Sequence, residues 1–203
     1  MSVKIKRRDF LSIGKPLKIA FPLKSLTVSA IIFCFFSTAF PQMEKRIEEI
    51  RKIYQEVNKK VAECEENGDT STTFLTEVFV NKNNGSYPAV GIYKTTAKFY
   101  YTFGDREKNP YPDRLMKIVL ATNRSAMTEN YEYLFNSAGQ LIFYLGKKDE
   151  TEIRVYFETE KPFKILHGEK NVKITDKSEI ERVKAILSLK QKLVGIFQST
   201  QNF

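Results

Sequence analysis

Tryptophan is absent from the 203 residues, histidine occurs once and cysteine twice. Each scarcity closes off some chemistry. His167 is the only imidazole, so a Ser-His-Asp or Cys-His site would have to use it. Beside a single Cys64 it makes no zinc-ligand cluster, and it reads as a surface histidine in a turn. No G-x-S-x-G, phosphate-binding loop or H-E-x-x-H is present. Acid pairs such as Glu158 with Glu160, or Asp149 with Glu150, fall in turns, where carboxylates are ordinarily solvated. A two-carboxylate hydrolase is the enzymatic alternative, with no tryptophan on the sheet to support it. No cofactor and no metal are expected.

Long apolar runs are missing too. The longest, Val28-Ser29-Ala30-Ile31-Ile32-Phe33-Cys34-Phe35-Phe36, is too short for a comfortable membrane span. Lys24 precedes it and Ser37-Thr38-Ala39 follow, the basic, apolar and small-residue order of a secretory signal peptide cleaved after Ala39. An uncleaved anchor is the alternative. Arg7-Arg8-Asp9-Phe10-Leu11 resembles a twin-arginine export motif, but Pro16, Pro22 and three lysines delay the apolar segment. A start of translation near Leu23 would leave a compact general-secretory signal. We therefore expect a leader over residues 1–39, a single mature domain over 40–203, and a periplasmic or secreted location. Cleavage removes Cys34, so the mature chain has no intramolecular disulfide, and Cys64 reads as a small apolar residue on a helix face.

The formal charge of +9 is concentrated in that leader. Residues 1–41 carry seven Lys/Arg and one Asp, and the remainder carries 26 Lys/Arg against 23 Asp/Glu. A mixed-charge surface gives little electrostatic reason to bind nucleic acid, and none is expected.

The mature chain is organised around two hairpins between Tyr131 and Ile165, each an apolar alternation broken by a polar turn. Asn136-Ser137-Ala138-Gly139-Gln140 suits a type I turn closed by a G1 bulge, with Gly139 at positive φ. This register pairs Phe135 with Leu141, Tyr133 with Phe143 and Tyr131 with Leu145. Pro162 places the last hairpin strand at an edge or opens it. Met43 to Glu66 reads as one helix, with a stripe at Ile47, Ile50, Tyr54, Val57, Val61 and Cys64, ended by Asn67-Gly68. Packing on a sheet is preferred over a coiled-coil dimer, so a monomer is expected. Strands are expected at Thr73–Val80, Lys98–Phe103, Arg114–Thr122 and Val172–Ile174, with Asn123–Glu129 as a connector. A last helix starts near Ser178, with Glu181 placed for a capping box and a stripe through Ile180, Val183, Ile186, Leu187, Leu193, Val194 and Phe197.

The fold class is therefore α+β: a long N-terminal helix packed on an antiparallel β-meander of six or seven strands, plus a C-terminal helix. At the level of fold this is like cystatin-like and other helix-on-sheet proteins. The runs Leu120-Ala121-Thr122-Asn123, Tyr131-Glu132-Tyr133-Leu134-Phe135, Gly139-Gln140-Leu141-Ile142-Phe143-Tyr144 and Arg154-Val155-Tyr156-Phe157 make the chain look like an uncharacterised family of exported bacterial proteins. Those share a signal peptide, a charged helix and aromatic hairpins. The hairpins also look a little like the tyrosine-rich repeats of large secreted bacterial proteins, although two units do not make a solenoid. Neither resemblance implies a catalytic residue.

The function expected is a non-catalytic binding or assembly module. Its alternatives are a small extracytoplasmic hydrolase, or an inhibitor or accessory subunit of another exported protein. The candidate protein-binding face is the even-numbered one, with Glu132, Tyr144 and Arg154 in one row and Tyr156 and Lys164 in the next. The odd-numbered face is expected as the core under the first helix. The partner would be a protein of the envelope or exterior, and membrane contact would be confined to the leader during export.

Overall fold

The computed structural model describes the backbone over residues 23–68, 72–88, 91–124 and 127–201, with side chains from residue 42 onward. The leader side chains and residues 1–22 lie outside that description, and with them the signal-peptide expectation. The described residues fall into two units that divide between Glu44 and Lys45. The second holds the sheet.

The elements run α1 (Leu23–Asn67), β1 (Phe74–Val80), β2 (Ser86–Tyr87), β3 (Gly91–Thr102), β4 (Arg114–Arg124), β5 (Met127–Phe135), β6 (Leu141–Lys148), β7 (Thr151–Glu158), β8 (Lys161–His167), β9 (Lys170–Val172) and α2 (Lys177–Thr200). The α+β antiparallel architecture is as expected. The sheet has nine strands rather than six or seven, in the order β1-β3-β4-β5-β6-β7-β8-β9, with β2 paired to the start of β3. The strand no expectation placed is β2, a piece of two residues; β9 stands near the short strand expected at Val172–Ile174 but runs from Lys170 to Val172. Strand β3 also begins well before Lys98, and β4 and β5 extend into Asn123–Glu129. These stretches are polar, so alternation does not mark them, yet backbone pairing to a neighbour holds them as strands. No described helix is long and apolar enough to cross a membrane.

Both faces of the sheet are covered by helix. On one, Phe99, Ile118, Tyr133, Tyr144, Val155 and Ile165 lie in a single cross-strand row. They form one core with Val183, Ile186, Leu193 and Phe197 of α2. On the other, Tyr100, Lys117, Leu134, Phe143, Tyr156 and Lys164 make a row beneath α1. There Tyr54 packs edge-on against Phe143 with ring centroids 5.3 Å apart. Helix α1 buries Ile47, Ile50, Val57 and Cys64, four positions of the expected stripe, and Gly68 follows it at φ +52°. The odd-numbered residues of β5 and β7 thus lie under α2 and not under α1. The expectation is corrected because both faces are apolar, so composition alone does not assign a helix to each.

The Gly139 turn forms as read. Gly139 has φ +73°, and Asn136 closes the turn by accepting from Ala138 N and Gln140 N through Oδ1. A Cβ at Gly139 would meet nothing within 4 Å. The cost of Gly139→Val is then torsional, on the order of 1 kcal/mol or more. Ala138→Ser should change stability little. Denaturation midpoints of the two variants test this, and equal midpoints would contradict it.

Beyond the turn, the register departs from the simple hairpin. Phe135 pairs with Leu141 as expected, but Tyr133 pairs with Tyr144 and Tyr131 with Gly146. Ile142 is an extra residue opposite the Leu134–Phe135 step, and that bulge moves every later β6 side chain to the opposite face. A second irregularity, between Tyr156 and Phe157, sets Pro162 opposite Phe157, where the missing N–H is tolerated. The capping box is also corrected. Asp176 is the N-cap of α2 without a side-chain cap bond, and Glu181 bridges Lys184.

Candidate functional site

The five residues expected to share a binding face are split by the Ile142 bulge. Glu132, Arg154, Tyr156 and Lys164 stay on the α1 side, and Tyr144 turns to the α2 side. Tyr144 is 7% exposed and Tyr156 2%, so neither ring is free for a partner. Glu132 accepts from Tyr54 Oη at 2.7 Å and lies 2.7 Å from Lys117 Nζ, which also donates to Asn58 Oδ1 at 2.6 Å. Burial first, then the bond to Glu132, pushes the Tyr54 phenol up to about 12. Arg154 lies 3.0 Å from Glu152 and donates to Gly168 O at 2.6 Å. These contacts fasten α1 and the strands internally.

Titratable groups converge instead on the α2 side, at the strand ends beside the first turns of α2. Glu129, Lys148 and Thr151 make one cross-strand row there, and Tyr131, Gly146, Ile153 and His167 make the next. Gly146 is required by its neighbour. A Cβ there would sit 2.6 Å from Tyr144 Oη, so the phenol occupies the space a side chain would take. Tyr144 stacks on Tyr131 at 6.1 Å and meets Tyr133 edge-on at 5.1 Å. From the helix come Glu179 and Arg182. His167 Nε2 is 3.2 Å from the buried carboxylate of Glu179, which also accepts from Arg182 Nε at 3.2 Å. His167 is therefore half-buried and paired, rather than a surface histidine in a turn.

Tyr131, Tyr144, Lys148, His167 and Arg182 border a cleft of about 260 Å³. Behind two of these groups is a second carboxylate, the buried Glu129, which lies 3.0 Å from Lys148 and accepts from Tyr131 Oη at 3.0 Å. Burial works against that charge, but the bonds from Lys148 and Tyr131 outweigh it and lower the carboxyl below its usual range. The phenols move the other way. Burial, then the bond to Glu129, pushes Tyr131 up to about 12, and burial raises Tyr144 further. Both remain protonated donors at neutral pH. Each carboxylate is already engaged by partners from the protein, while a phenol, an ammonium, a guanidinium and an imidazole border the space. The N–H groups of Lys148 and Arg182 that these carboxylates do not use, and the Tyr144 hydroxyl, are left as donors at the cleft.

A larger recess, about 540 Å³, lies at the other end of α2, between its last turn, the β3–β4 loop and the Gly139 turn. Arg114 lines it with a buried Nε that has no hydrogen-bond partner among the described residues. Asp113 adjoins it, and no second cation converges there. Among the described residues, no group of three His, Cys, Asp or Glu could hold a metal ion.

Sequence reading missed Glu179, Arg182, Glu129, Tyr131 and Lys148 as one cluster. One signal was available. Glu179 falls on the α2 stripe at i−4 from Val183 and i−7 from Ile186, while Ile180, assigned to that stripe, is exposed. A charge on an apolar stripe marks a paired buried group. Comparison with protein-family models, with curated proteins and with solved structures finds no match to this chain.

Proposed function

We propose that the chain is an exported, non-catalytic binding module whose ligand is a small acceptor-rich or anionic molecule held in the Tyr131–Tyr144–His167–Arg182 cleft. The supporting observation is the set of donors at the opening: two carboxylates each bonded from within, with the Tyr144 hydroxyl and the remaining N–H groups of Lys148 and Arg182 around it. Charge-assisted donors in a partly desolvated site favour carboxylate or phosphate oxygens. The volume is below the roughly 300–1,000 Å³ of drug-sized pockets, so the ligand is small. Export rests on the basic, apolar and small-residue order of the leader. N-terminal sequencing of the extracytoplasmic fraction should find a chain beginning near Phe40; full-length protein confined to the cytoplasm would refute it.

Titration calorimetry with citrate and with inorganic phosphate tests the cleft. Heat of binding to one of them is expected for the wild-type chain and should be lost in Arg182→Gln. Arg182 is on a helix surface, so this variant should keep its far-ultraviolet circular dichroism. Absence of heat with both anions, or binding unaffected by Arg182→Gln, would remove the reading. The Glu179–His167 pair supports a second reading, a small hydrolase, because a carboxylate-oriented imidazole is the usual general base. Turnover of ester substrates that His167→Gln abolishes would favour it.

A further inference from the structure

We propose that the end of the sheet formed by the β1–β2 loop, the start of β3 and the end of β4 docks on an anionic lipid surface. This is independent of the cleft, and it departs from the expectation that membrane contact is confined to the leader. Eight large apolar side chains are exposed among the described residues, and five of them gather here. Phe79, Val80, Tyr87, Ile92 and Met127 are each 39–47% exposed. Val80, Tyr87, Pro88, Tyr93 and Arg124 frame an open recess of about 540 Å³ among them. By register Phe79 and Ile92 project from one face of this sheet end and Val80, Tyr87 and Met127 from the other, so the apolar groups bracket the tip. Single exposed apolar residues need no explanation, but five at one end of a sheet do.

Charge identifies the occupant. Lys82 and Lys94 accompany Phe79 and Ile92 on one face of this end, Arg124 accompanies Tyr93 on the other, and residues 78–96 and 122–128 contain no Asp or Glu. None of the three cations makes a salt bridge among the described residues. Lys82 lies over the Phe79 ring at 5.3 Å and Arg124 over Tyr93 at 5.2 Å, so each cation sits beside the apolar group it would accompany. The nearest carboxylate on β5, Glu129, is buried and bonded to Lys148, and it acts on Arg124 through charge without a salt bridge. Asp149 and Glu150 lie in the β6–β7 turn, where Asp149 N donates to Thr128 O at 3.4 Å, so the acidic turn marks the β5 border of the patch beside Met127. Tyrosine and aliphatic groups interleaved with lysine and arginine suit the boundary of an anionic bilayer, where rings sit at headgroup depth and cations meet lipid phosphates.

A strand added along the open β1 edge is the competing occupant, and the edge is broken against it. Residues 81–85 leave the β3 ladder between β1 and β2. Asn81, at φ +55°, fastens this excursion by donating from Nδ2 to Gly85 O and Tyr93 O and accepting from Gly85 N. An interrupted edge is a poor template for pairing. A fastened loop holds Lys82 and Tyr87 outward without the cost of ordering them on contact.

The absence of tryptophan makes a site-specific test available. Tyr87→Trp in the full chain introduces a single reporter in the patch. Tyr111→Trp places one at an exposed tyrosine beyond the opposite end of β3. The leader is the same in both, so any insertion by it acts on both alike. With phosphatidylglycerol–phosphatidylcholine vesicles, Tyr87→Trp emission should shift to the blue and Tyr111→Trp emission should not. Lys82→Gln with Arg124→Gln in the Tyr87→Trp chain should weaken the response about 25-fold, near fivefold for each cation at about 1 kcal/mol apiece. Circular dichroism matching the wild type confirms folding of each variant. A silent Tyr87→Trp, an equal shift at Tyr111→Trp, or an equal response to pure phosphatidylcholine would overturn the proposal, leaving the patch to a protein partner.

Discussion

Glu132→Ala is expected to destabilise the protein by about 3–5 kcal/mol, the cost of leaving one member of a buried ion pair alone. Lys117 projects from β4 toward α1 with a side chain only 6% exposed, and among the described residues Glu132, at 25%, is the carboxylate in salt-bridge contact with it, Glu65 acting from farther off. Asn58 would still accept from the ammonium, but a neutral amide does not balance the charge. The Tyr54 phenol would lose its acceptor as well. Replacing both ions, as Lys117→Met with Glu132→Leu, should recover most of the loss, because the desolvation penalty is then removed with the attraction. Urea denaturation of the three chains measures this. A Glu132→Ala chain within about 0.5 kcal/mol of wild type, the range of ordinary surface changes, would mean that water reaches Lys117 freely.

Phe99→Ala should cost a similar amount, about 3–5 kcal/mol for a fully buried aromatic ring. Phe99 is 0% exposed in the second half of β3, and its ring stacks on Phe197 of α2 at 5.4 Å with planes 23° apart. Phe197 also contacts Tyr101 at 5.1 Å. The cavity would therefore open between the sheet and the last turns of α2. Amide exchange should accelerate in residues 193–200 before the start of α2, which the Glu179 contacts hold separately. A loss below about 1.5 kcal/mol, or uniform acceleration along α2, would show that this end does not depend on the aromatic stack.

Local features were legible wherever a few neighbouring residues carried the whole signal. The α1 stripe placed Ile47, Ile50, Val57 and Cys64 inward, because a helical period brings them to one side. The Asn136–Gln140 turn was readable because Gly139 supplies the torsion and Asn136 the acceptors within five residues. The register past that turn was not. Whether Ile142 pairs or bulges depends on its cross-strand neighbours, and a displacement of one residue reverses every side chain that follows. Tyr144 changed face for that reason.

By itself the sequence determined the class of fold, the antiparallel order, the long first helix and the glycine turn, since each follows from short-range periodicity and torsional preference. The tertiary structure alone decided which helix covers which face, and that Glu132 belongs to a buried ion network. It also brought Tyr131, Tyr144, His167, Glu179 and Arg182 to one cleft. Those groups come from four separate elements. Their chemistry arises from contact between side chains far apart in the chain, and no local pattern records which distant strand or helix will arrive beside them.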